Sequence, residues 1–122
     1  MRTEQYCRYY NRTRYGKYKI HNMEIFLSLI IPAYNEERNI VESIQSLLAM
    51  HYTKTEIVVV NDGSTDGTLL QLKRFPTVRV INTPVNVGFT KACNYAFRQL
   101  KEYDYIYLLN NDTEVLNGFI SN

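Results

Sequence analysis

Four apolar stretches that do not alternate limit what this chain can fold into more than any other feature. Residues 26–31, EIVVV (56–60), VRVI (78–81) and DYIYLL (104–109) are nearly continuous in aliphatic and aromatic residues. Strands buried on both faces look like this, because helices cover both sides of a parallel sheet. Between them lie segments with helical spacing, from Glu36 to Met50, Asp66 to Arg74 and Phe89 to Lys101. In the first, Ile40, Ile44, Leu47 and Leu48 share a face; in the third, Phe89, Ala92, Cys93, Ala96, Phe97 and Leu100 recur at three and four. The order β-α-β-α-β-α-β predicts an α/β fold: an open, mostly parallel sheet with helices on both faces and right-handed crossovers. Asn35 is expected to cap the first helix, with Glu36 and Glu37 in its first turn, and Ser64 or Thr65 the second. Pro76 interrupts the chain before the third strand.

With 122 residues, 45% apolar and 21% charged, the chain suits one globular domain. The net charge of +2 is uneven, because residues 1–24 hold Arg2, Arg8, Arg12, Arg14, Lys17 and Lys19 against Glu4 and Glu24. The same leader carries five of the eleven tyrosines. Basic and aromatic residues together suit an anionic surface, but a solvated tail is the commoner fate of such a segment, so a flexible leader without nucleic-acid binding is expected. It has no apolar signal-peptide core, and IFLSLIIPA (25–33) is far shorter than the roughly 20 residues that cross a bilayer. Cys7 and Cys93 form no metal or redox spacing, and His21 and His51 stand alone. A reduced, cytoplasmic setting follows as the expectation, with Cys93 in the core.

Ligands of open parallel sheets bind beyond the carboxyl ends of the strands, where strand order reverses. PAYNEE (32–37), NDGSTD (61–66) and NNDT (110–113) stand at such ends. They converge if the second and fourth strands flank the first. No G-x-G-x-x-G follows the first strand and no G-K-S or G-K-T is present, which removes the dinucleotide and P-loop phosphate sites. A site built from side chains remains: the Tyr34 ring, the Asp62 carboxylate, and Asp112 with its flanking amides.

LSLIIPAYNEERNI, EIVVVNDGSTDGT, NVGFTKACNYAF and YLLNNDTEV, in this order, resemble the nucleotide-sugar-binding half of inverting glycosyltransferases of family two, which have the Rossmann-like GT-A fold. The resemblance covers roughly residues 26–120, within a domain taken as 25–122. It implies that Tyr34, with Pro32, lies against the nucleobase. Asp62 would accept the ring N3–H of uracil or thymine, a contact cytosine cannot make, and Gly63 would let the backbone turn beside it. Glu36, Asn110 and Asn111 join the implied binding set. Asp112 matches the acid that holds Mg²⁺ or Mn²⁺ on the diphosphate, with Asn110 where the family usually has another acid, as in the rhamnosyltransferase-like branch. Gly88 and Lys91 would approach phosphate, although Cys93 stands where many relatives have Arg.

The family's general base lies well downstream of the metal motif, beyond Asn122, and Glu114 is too close to match it. The chain is therefore expected to be an N-terminal fragment: it would bind a UDP- or dTDP-sugar without transferring it to a saccharide or lipid-linked acceptor. Its fourth strand would have an unpaired edge, inviting self-association, and a peripheral contact at the inner face of the membrane is a further expectation. A non-catalytic nucleotide-binding module of the same fold is the alternative. A nucleotidyltransferase would carry a glycine-rich basic loop after its first strand, which PAYNEE lacks.

Overall fold

A computed structural model describes residues 10–11, 26–50, 54–113 and 115. Its elements are β1 (Tyr10–Asn11), β2 (Leu27–Ala33), α1 (Ile40–Leu48), β3 (Thr55–Asp62), α2 (Thr68–Leu72), β4 (Arg79–Thr83), α3 (Phe89–Gln99) and β5 (Tyr105–Leu108). The predicted first to fourth strands are β2 to β5. They lie parallel in a sheet of order β1-β5-β2-β3-β4, in which only β1 runs antiparallel.

Alternation along the strands divides the apolar residues between two cores. Leu27, Leu29, Ile31, Ala33, Ile57 and Val59 face α1 and α2 through Ile40, Ile44, Leu47 and Leu72. Ile30, Val58, Val60, Ile81 and Ile106 face Ala92 and Ala96 of α3 and Leu100 just after it. Val58, Val59 and Val60 are 0% exposed, each side chain contributing about 1.5–3 kcal/mol by leaving water. The chain builds β2, β3 and β4 in one direction with α1 and α2 on one face. It then returns through α3 on the other face to place β5 beside β2. Strand order thus reverses at β2, and the β3 and β5 ends flank it.

Pro32 fits inside this central strand because the ladder leaves its side open. β2 pairs with β5 only as far as Ile30 opposite Leu108, so the missing N–H falls past the end of β5. The Pro32 carbonyl on that side accepts the Asn111 side-chain N–H at 3.1 Å.

Several local expectations are corrected. The fourth predicted strand does not keep a bare edge, since Tyr10 and Asn11 pair with Ile106 and Tyr105; the rest of the leader, with Cys7 and His21, lies outside the described residues, as does His51. Leu48 and Phe89, assigned to apolar stripes, are 46% and 57% exposed. The first helix begins at Ile40 after Asn39, and the second at Thr68 after Gly67, neither with a side-chain cap bond. Asn35, Ser64 and Thr65 make a different structure, described below. No helix among the described residues is long and apolar enough to cross a membrane.

Candidate functional site

The three polar clusters converge at the carboxyl edge, around the ends of β2, β3 and β5. At the end of β2 the chain turns through Asn35, which has φ 51°, a left-handed conformation that Asn tolerates better than other side chains. Its Oδ1 accepts the Thr65 N–H at 2.8 Å and the Asp66 N–H at 3.3 Å, while its own N–H donates to Ser64 Oγ at 3.0 Å. Glu36 N–H donates to Thr68 Oγ1 at 2.9 Å, and Gly67 N–H donates to Glu37 Oε2 at 2.9 Å. The expected caps are therefore exchanged between loops: each loop satisfies the other's amides, and the starts of α1 and α2 are clamped together.

Asp66 finishes this clasp. Its Oδ1 accepts the Thr68 N–H at 2.9 Å and the Thr68 hydroxyl, and its Oδ2 accepts the Glu37 N–H at 3.3 Å. Partial burial pushes the Asp66 pKa upward, but the bonds from Thr68 and Glu37 outweigh it and hold the carboxyl below its ordinary 3.8. The Glu36 side chain, in the implied binding set, accepts the Asn39 Nδ2–H at 3.1 Å within its own loop. Tyr34, just before the clasp, remains 44% exposed, presenting its ring at the edge.

Asp62 is only 4% exposed. Its Oδ1 accepts the Thr83 hydroxyl at 2.7 Å and the Val87 N–H at 2.9 Å, and its Oδ2 accepts the Gly88 N–H at 3.0 Å. The carboxylate thus binds the end of β4 and the start of α3 to the end of β3. Gly88 N–H also lies 3.0 Å from Asn86 Oδ1, so this amide, expected to meet phosphate, is engaged inside the chain. Gly88 has φ 90°, a conformation reserved for glycine. Gly63 is constrained more severely: its φ is 66°, and a Cβ there would stand 2.4 Å from Asn86 N and 2.5 Å from Val85 C. The turn after β3 is glycine because the chain's own 85–86 backbone packs against it.

Beneath Asp62 lies Cys93, 3% exposed. Burial, and next the Asp62 charge, push its thiol from 9.0 up to about 11. That placement makes it a neutral core side chain. On the opposite face of β3, Asn61 donates from Nδ2 to Asn82 Oδ1 at 2.9 Å, a second cross-strand polar pair beside Asp62 and Thr83.

The β5 end is built otherwise. Thr113 N–H donates to the Asn110 carbonyl at 3.1 Å, closing a turn that leaves Asp112 exposed. Asn111 anchors that turn, its side chain on Pro32 and its carbonyl accepting the Ser43 hydroxyl of α1. Val115 N–H donates to Ser46 Oγ at 3.2 Å. Lys91 and Asn94 are exposed on α3. Among the described residues no three His, Cys, Asp or Glu side chains gather to hold a metal ion.

A family model described as Glycosyl transferase family 2 matches residues 28–122. The chain belongs to that family. The poly-β-1,6-N-acetyl-D-glucosamine synthase of Staphylococcus epidermidis is 29% identical over 92 residues, 73% of this chain but 22% of the synthase. The chain therefore spans about a fifth of that relative's length. Among solved structures, S. aureus TarS (residues 1–349) in complex with UDP-GlcNAc superimposes with a TM-score of 0.67 at 32% identity, over 72% of this chain and 27% of TarS. The mannosyltransferase PcManGT of Pyrobaculum calidifontis, in complex with GDP-Man and Mn²⁺, gives 0.66 at 26% identity, over 75% of this chain and 28% of its own. The GT-A, Rossmann-like fold expected from the motifs is the fold observed.

Residues outside the expected set complete the site. Thr83, Asn35, Ser43 and Ser46 carry the bonds that fix its loops, and only Asn35 stood inside a recognisable motif. Thr83 gives no linear signal, because its role comes from lying opposite Asp62 in the β3–β4 register.

Proposed function

We propose that this chain is the donor-binding half of a glycosyltransferase, taking a UDP- or dTDP-sugar together with Mg²⁺ or Mn²⁺ for inverting transfer to the hydroxyl of a saccharide or lipid-linked acceptor. The supporting observation is the meeting, at one sheet edge, of an exposed aromatic ring at Tyr34, a carboxylate at Asp62 fixed by three donors, and an exposed carboxylate at Asp112.

In this reading Tyr34 and Pro32 support the base, and Asp62 accepts its imide N–H. Gly63 and the Val85–Asn86 backbone wall the base pocket, and Glu36 acts from the clasp. Asp112 holds the cation beside the diphosphate, with Asn110 and Asn111 flanking it and Lys91 contributing positive charge. Hard cations prefer oxygen ligands, so a lone carboxylate fits, the rest of the shell coming from phosphate oxygens and water. The cation, when bound, supplies neutralisation of the leaving diphosphate's charge. A cytoplasmic location, facing the membrane's inner side, belongs to the same proposal. The rhamnosyltransferase-like branch suggested by Asn110 gains no support from the relatives named above.

A thermal-shift panel of UDP, dTDP, GDP and CDP, with and without Mn²⁺, tests this reading. Stabilisation by UDP or dTDP that requires Mn²⁺ and disappears in Asp112→Asn supports it. An equal response to all four nucleotides contradicts it.

A further inference from the structure

We propose that Thr83 is a positioning residue that decides which nucleobase edge the Asp62 carboxylate can take. The inference rests on the donor-binding reading above and adds a determinant of its selectivity. A carboxylate offers about four acceptor sites. The Thr83 hydroxyl at 2.7 Å and the Val87 N–H at 2.9 Å fill both sites on Oδ1, and the Gly88 N–H at 3.0 Å fills one on Oδ2. One acceptor site remains, on Oδ2.

The Thr83 hydroxyl has a single proton and also lies 2.9 Å from the Val85 carbonyl. The shorter contact to the charged acceptor takes it. Thr83 is 6% exposed and stands directly opposite Asp62 in the strand register, so water does not replace that donor readily.

A single remaining acceptor suits a single donor. Uracil and thymine present one imide N–H between two carbonyls, whereas guanine presents its N1–H and 2-amino group side by side and grips a carboxylate through both oxygens. With Oδ1 filled, guanine's second donor meets no acceptor. Removing the Thr83 hydroxyl reopens one site on Oδ1 and admits that two-pronged grip.

The test is displacement of UDP from the 122-residue chain, with Mn²⁺ present, by GDP and by inosine diphosphate, which lacks only the 2-amino group. Because both competitors are purines, size cancels from their ratio. In the wild type the two should compete about equally. In Thr83→Val, GDP should gain about tenfold over inosine diphosphate, the worth of one charge-assisted hydrogen bond, and Thr83→Ser should return the ratio to near one. A wild type that already prefers GDP tenfold overturns the proposal, and this arm needs no variant to fold. A lower melting temperature in Thr83→Val with an unmoved ratio also overturns it, since the hydroxyl then serves stability alone. Failure of the wild type to bind UDP at all is a separate outcome and sinks the donor reading beneath it.

Discussion

Asp62 and Asp112 stand at the same edge of one sheet, at the ends of the two strands that flank β2, yet they are held in opposite ways. Asp62 is 4% exposed and carries three donors from β4 and the start of α3. Asp112 is exposed on a turn whose anchoring is done by its neighbour Asn111. A buried acid with fixed donors meets a ligand with its geometry already set, which favours reading a shape. An exposed acid keeps its oxygens hydrated, which favours a cation that arrives with its own water and phosphate. The contrast separates stability from binding: substitutions around Asp62 should lower the chain's stability, and those at Asp112 should leave it unchanged.

The sharpest break of this contrast is Gly63→Ala. A Cβ on that backbone, at φ 66° and 2.4 Å from Asn86 N, should cost about 3–5 kcal/mol or prevent folding, measured by urea denaturation. Asp62→Ala comes next. It leaves the Val87 amide without its acceptor and the Gly88 amide with Asn86 Oδ1 alone, so a loss of about 2–4 kcal/mol is expected in the same measurement. Asn35→Gly keeps the left-handed turn but removes the side-chain clasp, and should cost about 1–2 kcal/mol.

Titration sharpens the comparison from beneath Asp62. Above pH 9.0 the unfolded chain releases the Cys93 proton that the folded chain keeps until about 11, so stability should fall as pH rises across that interval. Cys93→Ala should remove this alkaline slope, as read by denaturation midpoints at successive pH values. For Asp66 the sign is reversed. Its lowered pKa contributes stability above the ordinary 3.8 that is lost as pH falls below it. The smallest stability effect belongs to Asp112→Asn, expected within about 0.5 kcal/mol of the wild type, although it should abolish any Mn²⁺-dependent response to nucleotide. An Asp112 variant as damaged as Asp62→Ala would erase the distinction.

The strands, their parallel arrangement and the meeting of three polar clusters were legible in the sequence, because buried strands and turn residues leave local signatures. What stayed hidden depends on pairing at a distance. The donors to Asp62 lie 21 to 26 residues away in the chain, brought back only by the β3–β4 register. Asn35 looked like a helix cap because Asn before acidic residues commonly is one; it serves instead a loop about 30 residues on. Phe89 matched a helical stripe by spacing alone, but as the first residue of α3 it precedes the turns that pack on the sheet. The pairing of Tyr10 and Asn11 with β5 had no signal, since two residues are too few to show a period.

The central claim is that one nucleotide bridges Asp62 and Asp112. Amide NMR of the chain with Mn²⁺, with and without UDP, tests it most directly, because the ion broadens signals of nearby residues. With UDP, broadening should centre on the 110–113 turn and extend to Tyr34 and the 61–63 turn, and Asp112→Asn should remove both. Broadening scattered over unrelated surface acids, unaffected by UDP or by that substitution, would contradict the account.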